Sequence, residues 1–474
     1  MISVKTFKKK FVKALREDTA AVFAGAGLSL PCGYVNWKDL LREIATELGL
    51  DVERENDLVA LAQYHRNEMN SRSSINQEII ERFTKDFELS NNNKILARLP
   101  IKYYWTTNYD QLLETALKES NKKVDVKITN ENLATNLPKR NAIVYKMHGD
   151  VSQPSDAVIT KDDYESYNSK RQLFTTTLQG DLISKTFLFI GFSFDDPNLE
   201  YVLSRIRVLL GENKREHFAF FKKLNKEDFK DNEEFIYQKT KQQLKINDLK
   251  RYSISAVMLD NYSEIEEILL DIEKLFNLNK IFISGSAETY GKWSQEDSFK
   301  FMHNLSKALV KKGFKVVSGF GLGVGSIIIN GALEEIYQSK FNNTTEYLEL
   351  KPFPQIHTGS KNINELRDQY RKDMILNSGI AIFIFGNKLV EGKIENSEGV
   401  YREYEIAREN NLSIIPVGST GFMAKVISDE IIEENGENTY LQPHLETLNN
   451  SNDSEKIISA IADIIEGLTK EYLN

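Results

Sequence analysis

Apolar positions along this chain fall into two kinds of segment. Short runs that are apolar at nearly every residue recur through the first half: AAVFAGAG, KYYWTTN, AIVYKMHGD and TFLFIGFSF. A strand covered by helices on both faces needs such a run, so these predict a parallel sheet. Between the first two runs, from Trp37 to about Leu99, apolar residues return at helical spacing, most clearly in WKDLLREIATEL and INQEIIERFTKDF, and predict a long helical excursion. Lys222 to about Lys250 is strongly charged and reads as solvated helix; a strand-like SISAVMLD and a helical SEIEEILLDIEKLF follow. NLNK, Asn277 to Lys280, is the expected hinge, because a fresh strand and loop begin at IFISGSA. Beyond it IFISGS, FKVVSGF, YLELKPF, IAIFIFG and LSIIPVG predict a second set of strands with helices between. The pattern predicts an α/β chain of two Rossmann-like, doubly wound parallel-sheet domains, residues 1–278 and 279–474.

Composition narrows the function classes. At 474 residues the chain exceeds one ordinary core. Its 41% apolar and 27% charged residues are those of a folded globular protein. A net charge of −8 and a pI near 5.6 speak against a broad nucleic-acid footprint, which needs a basic face, and leave room for a local basic pocket. The single cysteine, Cys32, excludes a disulfide framework and a cysteine-rich zinc module, and no metal site is expected. Val4, Phe7, Phe11, Val12 and Leu15 space an amphipathic helix at the start of the chain rather than a signal peptide. No stretch reaches the ~18 uncharged apolar residues of a membrane span, so the expected setting is the cytoplasm, without a membrane partner.

Candidate chemistry sits where predicted strands end. The first run leads into Gly25-Ala26-Gly27-Leu28-Ser29, small residues that let a backbone approach a pyrophosphate, with a following helix expected to offer free N–H groups and a positive dipole end. Glycines in this position serve tight strand-to-helix packing as readily. WTTNYD places Asn108 just past a second strand and VYKMHGD places His148 past a third, the carboxyl ends at which open α/β sheets bind ligands. His65 and His217 lie in helical or charged contexts.

The order Gly-Ala-Gly-x-Ser, Thr-x-Asn-x-Asp, His-Gly resembles the sirtuin (SIR2) fold over roughly residues 10 to 275, and FIGFSFDDPNL looks like the late dinucleotide-contacting loop of its prokaryotic branch. The resemblance implies that Asn108 and His148 are catalytic. It also implies that Ala24, Gly25, Ala26, Gly27, Ser29, Thr106 and Asp110, with Gly191, Ser193 and Asp196 of the late loop, contact NAD+. Three features depart from the deacylases. GLSLPCGYVNWKDLL lacks the Pro-x-Phe-Arg element, Thr107 stands where a glutamine is usual, and there is no zinc module. What remains suits cleavage of the nicotinamide–ribose bond. A histidine with an ordinary pKa near ~6.5 can take a proton from a ribose hydroxyl or from water. An asparagine can hold either without adding charge. With water as acceptor the products are ADP-ribose and nicotinamide, so NAD+ is substrate and no cofactor is expected.

The second half carries two more loops, SGSA at Ser284 to Ala287 and GFGLGVGS at Gly319 to Ser326, at the ends of neighbouring strands, an arrangement that forms anion-binding crevices. In NELRDQYRKDMI, Arg367 and Arg371 share a helix face, a like-charge pair that mildly opposes the helix unless an anion sits opposite; a solvated face is the other reading. Lys388 and Glu403 follow later strands and could read a ribose and base. Roughly residues 280 to 430 resemble the SLOG family, but Ile329 stands where its hydrolases carry a catalytic glutamate, which implies a sensor that keeps the cradle and lacks the acid.

SIR2 followed by SLOG is similar to the NAD-depleting effectors of Thoeris antiphage defence. That resemblance implies a homo-oligomer, a tetramer, assembled through the SIR2 domain and switched on by a cyclic ADP-ribose isomer made by a TIR-domain partner. The signal would sit among Gly285, Ser286, Gly321, Leu322, Gly323, Gly325 and Ser326, held by Arg371, Lys388 and Glu403. Three alternatives stand beside this reading: a sirtuin-type protein deacylase, a non-enzymatic NAD-binding scaffold, and a nucleotide hydrolase in the second half.

Overall fold

The computed structural model describes residues 1–194, 196–210, 215–338, 343–353, 362–434 and 440–473. The chain divides into two compact units, Met1–Glu273 and Lys274–Asn474. In the first, β1 (Ala20–Ala24), β2 (Tyr103–Thr106), β3 (Val124–Lys127), β4 (Ala142–Lys146), β5 (Thr186–Ile190), β6 (His217–Lys222) and β7 (Ile254–Leu259) form one parallel sheet in the order β3-β4-β2-β1-β5-β6-β7. The chain leaves β1 toward β2 on one side and returns on the other at β5, so the topological switch, where open sheets leave a crevice, lies between β1 and β5. Strands β1, β4 and β5 are buried at every residue, as their unbroken apolar runs require.

The helix Val4–Arg16 is capped by Ser3, whose hydroxyl accepts the Thr6 N–H at 3.2 Å. It buries Phe7 against Phe218 and Phe220 of β6, ring centroids 5.2 Å apart in each pair. The helical excursion lies where its periodicity predicts, between β1 and β2, and includes Leu58–Glu68, Ser73–Phe83 and Asn91–Arg98. Two strands run against expectation. His217 belongs to β6 rather than to a charged helical context; it is buried, and its Nδ1 accepts the Phe187 N–H at 3.2 Å. β3 hides Asp125 and Lys127 by pairing them at 2.9 Å, so a buried strand carries residues that read as surface.

The second unit sets β8 (Lys280–Ser286), β9 (Lys315–Ser318), β10 (Leu348–Leu350), β11 (Ile380–Phe385) and β14 (Ser413–Pro416) in a parallel sheet ordered β10-β9-β8-β11-β14. Its switch lies between β8 and β11. An exposed antiparallel hairpin, β12 (Asn387–Val390) and β13 (Lys393–Asn396), follows β11; its polar sequence gave no strand signal. Both units are thus Rossmann-like α/β. No helix among the described residues is long and apolar enough to cross a membrane, and no three His, Cys, Asp or Glu side chains among them gather as metal ligands.

Candidate active site

At the β1/β5 switch two loops lie backbone on backbone. Gly27 N–H donates to Gly191 O at 2.9 Å, and Gly25 N–H to Ile190 O at 3.0 Å. A Cβ on Gly25 would strike Gly191 O; one on Gly191, whose φ of +62° already favours glycine, would strike the Leu28 nitrogen. These glycines therefore serve loop-on-loop packing. The expected helix is absent: Ala26–Leu28 and Leu30–Cys32 are single 3-10 turns, and the N–H groups of Leu28 and Ser29 go to Gly25 O and Ala26 O. No helix dipole reaches a ligand from this loop.

The neighbouring strand supplies a better-defined group. Thr106 Oγ1 donates to Ala24 O at 3.0 Å and accepts the Asn108 N–H at 3.0 Å, which ties the end of β2 to the end of β1. Asn108 Nδ2 donates to Gly25 O at 3.0 Å and to Ser29 Oγ at 2.9 Å, while the Ser29 hydroxyl donates to Asp110 Oδ2 at 2.7 Å. Gly25 O can only accept, so the amide orientation is fixed. Both amide hydrogens of Asn108 are used inside the protein, and what the side chain offers outward is its oxygen. Beneath, the buried ammonium of Lys146 binds Asp110 O and the Asp150 carboxylate, with Tyr109 O at 3.3 Å and Glu114 Oε1 at 3.2 Å. It pins the loop that carries Asn108.

His148 ends the next strand's exit and is 1% exposed. Its Nε2 lies 3.1 Å from Asp196 Oδ2 and 3.4 Å from the Asn198 amide, and the edges of Tyr164 and Tyr167 close on the ring at centroid distances of 5.5 and 6.2 Å. Burial pushes the imidazole below the usual histidine value, against the opposing pull of the Asp196 carboxylate. The ring is neutral at pH 7.

These groups line a cleft of about 710 Å³. Of the residues predicted to act here, Gly25, Ala26, Gly27, Ser29, Asn108, Asp110, His148, Gly191, Ser193 and Asp196 face it, whereas Ala24 and Thr106 lie underneath as supports. Asp195, part of the late motif, lies outside the described residues. Sequence reasoning missed the opposite wall: Trp37, Lys38, residues 56–59 and Phe83 come from the helical excursion, and Tyr164 from the helix Lys161–Glu165. Trp37 sits edge-on to Tyr164 at 6.5 Å, so aromatic rings border the histidine where a deacylase would have its Pro-x-Phe-Arg element.

In the second unit the two predicted loops also meet. Ala287 N–H donates to Leu322 O at 2.7 Å, and Cβ atoms on Gly321 and Gly323 would strike Gly285 O and Ala287 O. Here a 14-residue helix, Gly325–Gln338, does follow. Gly323 and Ser326 border a hollow of about 550 Å³ with Tyr290, Phe299 and His303. The Ser286 hydroxyl is turned inward to Asn387 O at 2.9 Å, and Asn387, which the sequence did not single out, accepts the N–H groups of Glu288 and Thr289 at 2.9 and 3.1 Å. Arg371 Nε lies 3.6 Å from Glu403 Oε1, an ion-pair distance without a hydrogen bond, and Ser284 Oγ donates to the same carboxylate at 2.6 Å. Burial pushes that carboxyl above its ordinary value. Both guanidinium groups approach the Phe353 ring, Arg371 at 4.7 Å and Arg367 at 6.0 Å. Lys388 stands apart on β12, 3.8 Å from Glu398 in an exposed pair. Ile329 is buried in the core of this unit.

Two family models match the chain: a SIR2-like domain over residues 102–245 and the Sir2- and TIR-associating SLOG family over residues 264–468. Among curated proteins, the NAD(+) hydrolase ThsA of Cytobacillus dafuensis is 50% identical over 432 residues, 90% of this chain and 87% of its own. That of Bacillus cereus (strain MSX-D12) is 47% identical over 473 residues, 98% of each chain. That of Acinetobacter baumannii (strain 532279) is 44% identical over 469 residues, 96% of this chain and 97% of its own.

Proposed function

The chain belongs to the ThsA family of NAD(+) hydrolases, and from that premise we propose that its amino-terminal unit cleaves NAD+ to nicotinamide and ADP-ribose under control of its carboxy-terminal unit. The observation that carries the reading is the pairing, in one cleft, of a fixed amide oxygen on Asn108 with a shielded neutral imidazole on His148. Cleavage releases neutral nicotinamide from a cationic ring and leaves an electron-poor ribose, so the site needs orientation and a proton acceptor more than a strong acid. Asn108 Oδ1 accepts a hydrogen bond from a ribose hydroxyl or from the attacking water. His148 takes the proton lost as water adds, contributing roughly 10²–10⁴-fold. The loops around Gly25–Ser29 and Gly191–Ser193 hold the diphosphate side by close backbone approach. The aromatic border of Trp37 and Tyr164 leaves water, rather than an acylated peptide, as acceptor.

The SLOG match and the Arg371–Glu403–Ser284 cluster support a sensor role for the second unit. We read its signal as a cyclic ADP-ribose isomer from a TIR-domain partner, bound more tightly by the active arrangement of a homotetramer than by the resting one. NAD+ loss in the infected bacterial cytoplasm is then the defensive outcome. Purified protein incubated with NAD+, with and without a panel of cyclic ADP-ribose isomers, should release nicotinamide in an isomer-dependent way, and His148→Ala should not. Undiminished nicotinamide release by His148→Ala would overturn the reading of the site.

A further inference from the structure

A histidine that accepts a proton needs its neutral ring held in one tautomer, and the residues around His148 divide into those that can do this and those that cannot. Asp196 uses its two carboxylate oxygens for different purposes. Oδ1 accepts the Leu199 N–H at 3.0 Å and so caps the helix Pro197–Leu210, while Oδ2 lies 3.1 Å from His148 Nε2. The two side chains are 1% and 11% exposed, so the contact between them is largely shielded from bulk solvent. An ionised carboxylate has no proton to give. The Asn198 amide reaches the same nitrogen only at 3.4 Å, and an amide can present either end.

The other groups bearing on the ring are committed elsewhere or are neutral. Asp163 is held by Arg72 at 2.6 Å and by Thr160, and Arg171 donates to Ile128 O and Asp156 O. The phenols of Tyr164 and Tyr167 are pushed far up by burial.

We infer that Asp196 is a positioning residue: it fixes His148 as the Nε2–H tautomer and leaves Nδ1 as the nitrogen that accepts the proton. The inference rests on the proposed role of His148. It replaces the expectation that Asp196 contacts the dinucleotide.

Asparagine caps a helix about as well as aspartate, so Asp196→Asn keeps the cap and removes the charge. In the full-length protein, under the condition giving the parent its highest rate, D196N should lower kcat about 10–100-fold with KM little changed. Asp196→Glu should recover part of the loss. The imidazole resonance of His148, assigned by its disappearance in His148→Gln, should titrate about one pH unit lower in D196N, because an adjacent carboxylate favours the cation. Parent-like kcat with an unmoved titration would reduce Asp196 to a helix cap and overturn the inference. So would a raised KM with unchanged kcat and titration, which would make it a substrate contact. If D196N moves the titration while His148→Gln still hydrolyses NAD+ at the parent rate, the pairing stands and the assignment of His148 falls.

Discussion

The two glycine loops look alike in sequence and differ in what surrounds them. Both put bare backbone against a neighbouring loop, Gly25 and Gly27 against Gly191 in the first unit, Gly321 and Gly323 against Gly285 and Ala287 in the second. The first leads into short 3-10 turns and opens on a cleft holding Asn108 and His148. The second leads into a full helix, its unit pairs a half-buried carboxylate, Glu403, with Arg371, and the position where an acid would do chemistry holds Ile329, packed in the core. The glycines report how closely two loops approach. Whether the approach serves catalysis or recognition is decided by side chains that the glycine pattern does not contain.

Substitutions can test that contrast. The largest expected effect is on turnover: Asn108→Ala should cut nicotinamide release at least ~10³-fold, whereas Glu403→Gln should preserve the maximal rate and change only the amount of activator needed. Equal losses of maximal rate would erase the distinction. Next comes the shared packing. Gly191→Ala and Gly323→Ala both place a Cβ on backbone atoms at positive φ and should each cost about 3–4 kcal/mol in urea unfolding. A cheap substitution at one of them would mean that loop has room to move. Ile329→Glu should cost about 3 kcal/mol by burying a carboxylate and should confer no nucleotide hydrolysis.

The mildest effect is in acid. Among the described residues the buried histidines, His65, His148 and His217, all lie in the first unit. Burial, with Arg215 nearby, holds His217 down to about 3. The unfolded chain therefore binds a proton near ~6.5 that the native chain refuses, and stability falls by about 1.4 kcal/mol per pH unit from there down to the native value. Hydrogen exchange at pH 7 and pH 5 should show β1, β5 and β6 losing protection before β8 and β11.

Both parallel sheets were legible because unbroken apolar runs are the physical requirement of a strand covered on two faces, and β1, β4, β5, β8 and β11 meet it. β3 escaped notice because Asp125 and Lys127 neutralise each other inside the protein, and β6 because its apolar core is flanked by charged residues in the sequence. The β12–β13 hairpin fully buries only the polar Asn387 and so shows no apolar pattern. Asn108 and His148 could be picked from their position after strands, and both line the same cleft. Their partners could not: the Lys146 cluster, the aromatic wall and the Asp196 contact are set by tertiary approach between segments far apart in the chain. The helix expected after Gly25–Ser29 fails because Gly25 and Gly27 bond across to the Ile190–Gly191 backbone while the N–H groups that follow close short local 3-10 turns.

The way Asn108 is held has an implication for how a molecule of this protein wears out. Hydrolysis of that amide to a carboxylate would set acceptor against acceptor at Gly25 O, and Ser29 could answer only by abandoning Asp110. An aged copy therefore loses the anchoring that presents the Asn108 side chain to the cleft.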